Sequence, residues 1–113
     1  MVSQIRPRDL PAWLQSLPAG TQAVVLDVRE PDEVVRASVQ AKGFTLLTIP
    51  MASVPGRLEE INPEDAVACL CHHGMRSMQV AMFLERQGFA HLHNLAGGVD
   101  AWAGQVDPTM PRY

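Results

Sequence analysis

Two stretches, Ala23–Val28 and Ala66–Cys71, are apolar at nearly every position instead of every second one. A strand with one wet face alternates polar and apolar residues. A strand apolar throughout has both faces covered, as in a parallel sheet between layers of helix. The rest of the chain alternates helix-like and strand-like pieces, without internal repeat, low-complexity tract or linker, and this favours an α/β fold with a parallel sheet. Asp9 is placed to cap a short helix turning Leu10, Trp13, Leu14 and Leu17 inward, with Pro11 tolerated in its first turn and Pro18-Ala19-Gly20 as its stop. A polar helix is expected from about Pro31 to Ala37, and a strand over Thr45–Ile49 that Pro50 ends. Ser53 and Pro55 open a helix through Leu58 and Ile61, closed by Asn62-Pro63. A helix from about Ser77 to Gln87 follows, with Gly88 at its C-terminal cap and so many apolar residues that packing on several sides is expected. His91–Leu95 is a last strand, and Gly97-Gly98 leads into a last helix. The prolines of Asp107–Tyr113 keep that segment irregular.

A chain of 113 residues supports one hydrophobic core, so residues 5–113 are expected to form a single domain whose motif-bearing part is about 20–104. Nine Lys and Arg against twelve Asp and Glu leave a net charge of −3, which argues against a nucleic-acid partner. No apolar run approaches the length that spans a bilayer, so no membrane association is expected, and the first residues hold no block of secretory-signal type. Cys69 and Cys71 are two apart; on a strand they sit about 6.6 Å apart with parallel Cβ vectors, which disfavours a bridge. Two free thiols fit a reducing compartment, and a cytoplasmic location is expected.

The chemistry concentrates in Cys71-His72-His73-Gly74-Met75-Arg76-Ser77, a loop between a buried strand and a helix. Ligands in open parallel sheets bind beyond the carboxyl ends of strands, where Cys71 falls. A tight turn feeding a helix aims successive backbone N–H groups at one point, and a sulfur placed there is favoured as thiolate. Gly74 gives the backbone freedom for the curve. Arg76 adds a fixed charge, for an anionic substrate or for anchoring the loop. Such a nest can hold a charged sulfur without metal or organic cofactor.

Cys71-x-x-Gly74-x-Arg76-Ser77 resembles the active-site loop of rhodanese-like sulfurtransferases. Leu26-Asp27-Val28-Arg29-Glu30-Pro31-Asp32-Glu33, the helix from Ser77 to Gly88, and Asn94-Leu95-Ala96-Gly97-Gly98-Val99-Asp100-Ala101-Trp102 agree with that family in order and spacing. Asp107-Pro-x-x-Pro-Arg-Tyr113 is similar to the ending of single-domain bacterial members, and to that of the rhodanese domain of adenylyltransferase–sulfurtransferases. The resemblance implies a five-stranded parallel sheet with helices on both faces. It also implies that Cys71 takes a sulfane sulfur from thiosulfate or another donor as a persulfide, then passes it to a thiol, cyanide or a sulfur-carrier protein. In family terms Asp27 holds the loop or Arg76, with Arg29 nearby. The chain departs from the family over Val34–Phe44, where Gly-His-Ile-x-Gly-Ala is usual.

Blander readings apply elsewhere. Cys69, between Ala68 and Leu70, reads as core. His72 and His73 are adjacent and cannot easily reach one tetrahedral ion, so they read as the pocket mouth, where partial protonation assists anion binding, and no metal is expected. His91 and His93 read as strand surface, Met78 and Met82 as core. A cysteine phosphatase or arsenate reductase would need Cys-x5-Arg, whereas four residues separate Cys71 from Arg76. Two more functions compete with sulfur transfer: a rhodanese-like module that only binds partners, and a redox sensor joining Cys69 to Cys71.

Overall fold

The computed structural model describes residues 2–113. Among them, five strands form one parallel sheet: β1 (Ser3–Ile5), β2 (Ala23–Asp27), β3 (Thr45–Thr48), β4 (Ala66–Leu70) and β5 (Leu92–Leu95), in the order β1-β5-β4-β2-β3. Four of these are expected from the sequence, two of them as continuous apolar runs. The fifth, β1, has three residues of which only Ile5 is buried, so it carries no pattern of its own and exists because β5 offers it an edge. The interior strands β2 and β4 are buried at every position, as continuous apolar runs require.

The two-residue period of a strand splits this apolar material between two layers. Val24, Leu26 and Val28 of β2 and its extension, with Val67, Cys69 and Cys71, pack beneath Val80, Ala81 and Leu84 of helix α3 (Met75–Arg86). On the opposite face Val25, Ala68, Leu70 and Leu95 meet Leu10 of α1 (Leu10–Ser16), together with Val99, Trp102 and Ala103 of α4 (Gly98–Gln105). Helix α2 (Pro31–Arg36) buries no residue completely and exposes Val35 at 84%. No helix among the described residues is long and apolar enough to cross a membrane.

Several expectations are corrected. Residues 51–60 form two short 3-10 segments with a kink at Arg57 (φ −129°, ψ 26°) instead of one α-helix. Pro55 has no N–H to give, and the short run closes i→i+3 bonds such as Val54 N–H to Met51 O and Arg57 N–H to Val54 O. Helix α3 starts two residues earlier than expected and is amphipathic: Ser77, Val80, Ala81 and Leu84 are buried, while Met75 and Met82 are 77% and 44% exposed. Met82 is therefore not core, and Met78 is only half-buried. His93 is not strand surface either. It is half-buried, with its ring edge-on to Trp13 at 5.2 Å, because β1 and α1 cover that end of β5. In the divergent segment Ala37 and Val39 are buried in the α1–α4 layer, and Phe44 meets Trp102 edge-on at 6.2 Å. A cavity of about 590 Å³ opens there between Leu10, Phe44 and Trp102, and no residue of 71–77 lines it.

Candidate active site

Cys71 is the first residue past β4, the middle strand, and so lies at the carboxyl end of the sheet. Its side chain faces the α3 layer and is buried. The backbone reverses at once through Gly74, whose φ of +103° is open to glycine at little cost. That turn sends the Gly74 N–H back onto the Cys71 Sγ at 3.0 Å, and the Ser77 hydroxyl lies 3.3 Å from the same sulfur.

The Ser77 hydroxyl has a second acceptor, Asn94 Oδ1 at 2.6 Å. The Asn94 amide nitrogen donates to Gly74 O at 3.0 Å and Gln4 Oε1 at 3.1 Å, which leaves its oxygen as the acceptor. A hydroxyl has one proton to give. It can serve Asn94 Oδ1 or the Cys71 sulfur, and not both at once. Burial pushes the Cys71 thiol up. The Ser77 hydroxyl and the backbone N–H groups of Ser77, Gly74 and His73 more than offset that, so its pKa lies below the ordinary thiol value. Cys69, one pleat back on the same side, has burial without donors and is pushed up to about 12. β4 and the first residue after it thus hold one cysteine with a raised pKa and one with a lowered pKa, Cys69 and Cys71 respectively.

The loop is held from three directions. From α4, the N–H groups of Val99 and Asp100 donate to Cys71 O at 2.8 Å and His72 O at 3.1 Å, an approach that Gly98 makes possible. From α2, Glu33 takes both guanidinium arms of Arg76 at 2.7 and 2.8 Å. Arg76 is thereby an anchor tying the start of α3 to α2. The third hold is aromatic: His72 lies between His73 and Tyr113, each ring at 3.9 Å. Burial, and then the neighbouring His73, push His72 below the ordinary histidine value, and its ring serves as a packing element between the other two. That direction runs against the expectation that His72 assists anion binding by protonation. Met75 and His73 are exposed beside the loop.

Asp27 does not hold Arg76. It binds Arg29, Nη2 to Oδ2 at 2.7 Å, with both side chains essentially inaccessible. Arg29 also donates to Ala37 O at 2.8 Å and to the Tyr113 hydroxyl at 3.0 Å. The pair is structural support one step removed from the loop, which the Val28 N–H meets through Leu70 O at 2.9 Å.

Glu33 titrates far from its usual range. The Arg76 guanidinium, opposed by burial and helped by the Glu30 N–H and the Tyr113 hydroxyl, lowers it from 4.5 to about 2. A depressed carboxylate contributes stability above its unfolded pKa and loses it as pH falls. Wild type is therefore expected to lose its advantage over Glu33→Gln progressively between about pH 4.5 and 2. The difference should be about 1 kcal/mol, since Arg76 is a third exposed and solvent screens the pair. Urea denaturation across that pH range checks this, and a constant difference would rule out the Glu33 carboxylate as its source.

The rhodanese-like domain family matches residues 10–105, most of the chain. The chain belongs to that family. The rhodanese-like domain is 36% identical over 114 residues to the Arabidopsis thaliana rhodanese-like/PpiC domain-containing protein 12, covering 99% of this chain and 38% of that protein. It is 35% identical over 104 residues to a sulfurtransferase of Allochromatium vinosum, covering 91% of this chain and 90% of the relative. Among solved structures, the crystal structure of a rhodanese-like domain protein from Staphylococcus aureus superposes with a TM-score of 0.75 at 25% identity, each chain covered to 99%. The rhodanese-like domain thus spans little more than a third of its plant relative and nearly the whole of the A. vinosum one.

The structure brings together residues 71–77 as the sequence suggests, and adds Glu33, Asn94 and Tyr113, to which sequence reasoning gave no role. Asn94 had a signal: it is polar at a buried strand position in phase with Leu92. Glu33 lay within a motif without a known partner. Tyr113, eighty residues from Glu33, lay within the ending that resembles the family, but nothing in the sequence pointed to its partners.

Proposed function

We propose that this rhodanese-like domain transfers a sulfane sulfur, taken from thiosulfate or a persulfide donor, through a persulfide on Cys71. The observation that carries the reading is the donor set on one buried sulfur: the Gly74 N–H at 3.0 Å, the Ser77 hydroxyl at 3.3 Å, and a thiol lowered against the pull of burial. The Cys71 thiolate attacks the outer sulfur of thiosulfate. The S–S bond of the donor breaks, and sulfite leaves with the bonding pair. The product, Cys71–S–S⁻, carries the single negative charge the thiolate had, now on the outer sulfur, and the loop amides stabilise it. A thiolate acceptor or cyanide then attacks that outer sulfur, and the pair of the Cys71–sulfur bond returns to the cysteine. Charge and atoms balance in both halves, and neither needs a metal or redox partner.

Arg76 supports the loop in this scheme, because Glu33 engages both of its terminal nitrogens. The same engagement works against phosphate-ester chemistry, in which the loop arginine must face the oxyanion. Exposed Met75 and His73 give a protein acceptor apolar and aromatic surface beside the sulfur. A thiol or sulfur-carrier acceptor is the partner class this reading calls for, and a Bacillus subtilis relative named a putative sulfur carrier protein supports it. The test is mass spectrometry after thiosulfate treatment. A gain of about 32 Da, one sulfur atom, is expected on the peptide holding Cys71 and reversed by cyanide with release of thiocyanate. Protein that stays unmodified and forms no thiocyanate would instead be a binding module.

A further inference from the structure

Tyr113 meets the sulfur loop on two sides at once. Its ring stacks on His72 at 3.9 Å with 12° between planes, next to Cys71 in the chain. Its hydroxyl accepts from Arg29 Nη1 at 3.0 Å and donates to Glu33 Oε2 at 2.9 Å, the oxygen that also binds Arg76. A continuous polar path therefore runs from the buried Asp27–Arg29 pair through Tyr113 and Glu33 to Arg76, at the start of the helix whose turn holds the thiolate. The segment bearing Tyr113 is itself secured. Asp107 caps its turn through the Thr109 N–H at 3.1 Å, Met110 is buried, and Arg112 reaches Asp100 on α4 at 3.1 Å.

We infer that Tyr113 is a positioning residue for sulfur transfer: it braces both flanks of the 71–77 loop so that the amides stay aimed at Cys71, and so sets how readily that cysteine ionises. The inference rests on the reading of Cys71 as the sulfur-carrying thiolate. Geometry gives the reason. Donors held about 3 Å from a sulfur stabilise its charge steeply with aim and distance, and a loop braced on one flank alone spends time with those N–H groups turned away. The brace is selective because Tyr113 touches neither the sulfur nor its donors. The charged and titratable groups around Cys71 are His72, His73 and Arg76 on the loop and α3, Glu33 on α2, Asp27 at the end of β2 and Arg29 beyond it, Cys69 on β4, and Asp100 on α4. Removing Tyr113 alters no formal charge at neutral pH, so a shift in Cys71 reports position.

The test is the pH profile of iodoacetamide alkylation at Cys71, read by peptide mass spectrometry so that Cys69 is scored separately. Tyr113→Ala removes ring and hydroxyl, and is expected to raise the Cys71 midpoint by about one unit and to lower thiosulfate kcat/KM about tenfold. Tyr113→Phe keeps the ring and loses only the hydroxyl, so its midpoint should fall between wild type and Tyr113→Ala. Should the alanine variant not fold, Tyr113→Phe carries the test with an upward shift of a few tenths of a unit. Folded variants that titrate with wild type overturn the inference. Alkylation needs no sulfur transfer, so the two claims fail separately: a wild type that forms no persulfide sinks the proposed function, whereas unchanged midpoints beside normal wild-type persulfide sink only this role for Tyr113.

Discussion

Replacing Gly98 by alanine is expected to destabilise the fold by about 3 kcal/mol or more and to abolish loading of sulfur on Cys71. A Cβ built on Gly98 would lie 2.4 Å from Cys71 O and 2.5 Å from both the carbonyl carbon and oxygen of His72. These are backbone atoms, and they cannot swing aside as a side-chain tip would. They are also the carbonyls that the Val99 and Asp100 N–H groups grip, so relief of the clash must pull α4 away from the loop. The φ of +59° adds left-handed strain, about 1 kcal/mol for alanine. Gly20→Ala separates the two contributions. Gly20 also has a positive φ, +86°, but nothing within 4 Å of its added Cβ, so that variant should lose only the strain, about 1 kcal/mol. Denaturant unfolding of both variants measures the difference. Equal losses would show that α4 does not press on the loop as closely as these distances state.

Arg29→Met carries the second large effect. Arg29 and Asp27 have side-chain exposures of 0% and 1%, and the substitution strands a carboxylate where water does not reach. Losing one partner of such a pair costs about 3–5 kcal/mol, a large part of the stability of a domain this size. Arg29 also ties together Asp27, Ala37 O, Glu33 O and the Tyr113 hydroxyl, so the turn from β2 through α2 should loosen with it. A double variant, Asp27→Leu with Arg29→Met, removes both charges and should recover a good part of the loss, since apolar pairs of similar volume often replace buried ion pairs without penalty. Thermal and urea unfolding of the singles and the double give the coupling directly. A double variant as unstable as the sum of the singles would place the loss in the Arg29 bonds to backbone carbonyls and not in the stranded charge.

Both variants bear on what kind of site this is. The loop does not contain its own stability: α4 holds it through Gly98, α2 through Glu33, and the Tyr113 ring through His72. Support of this kind keeps backbone donors fixed before substrate arrives, so that stabilising the charge needs little reorganisation. Cys71 can then be almost wholly buried and still be the more acidic of the two cysteines, because donors and not solvent stabilise its charge.

The amino-acid order alone determined the layered parallel sheet. Ala23–Asp27 and Ala66–Leu70 are apolar throughout but for the closing Asp27, and a strand with no polar face has to be sandwiched, whatever surrounds it. It also singled out the candidate loop, since Cys71, Gly74, Arg76 and Ser77 lie in one short segment whose geometry is local. Other matters belonged to the tertiary structure. Arg76 turns to Glu33 and Arg29 to Asp27, a choice between acids that sequence distance does not encode and packing settles. The strand β1 forms only against β5, Met82 faces water because α3 covers the sheet with one face, and His72 is pushed below its ordinary value because the fold buries it beside His73. Tyr113 reaches Glu33 across eighty residues of chain and stacks on His72 of the loop. Local periodicity reports how a segment buries itself; which charged group meets which is a long-range matter of geometry, and it appears only once the layers are assembled.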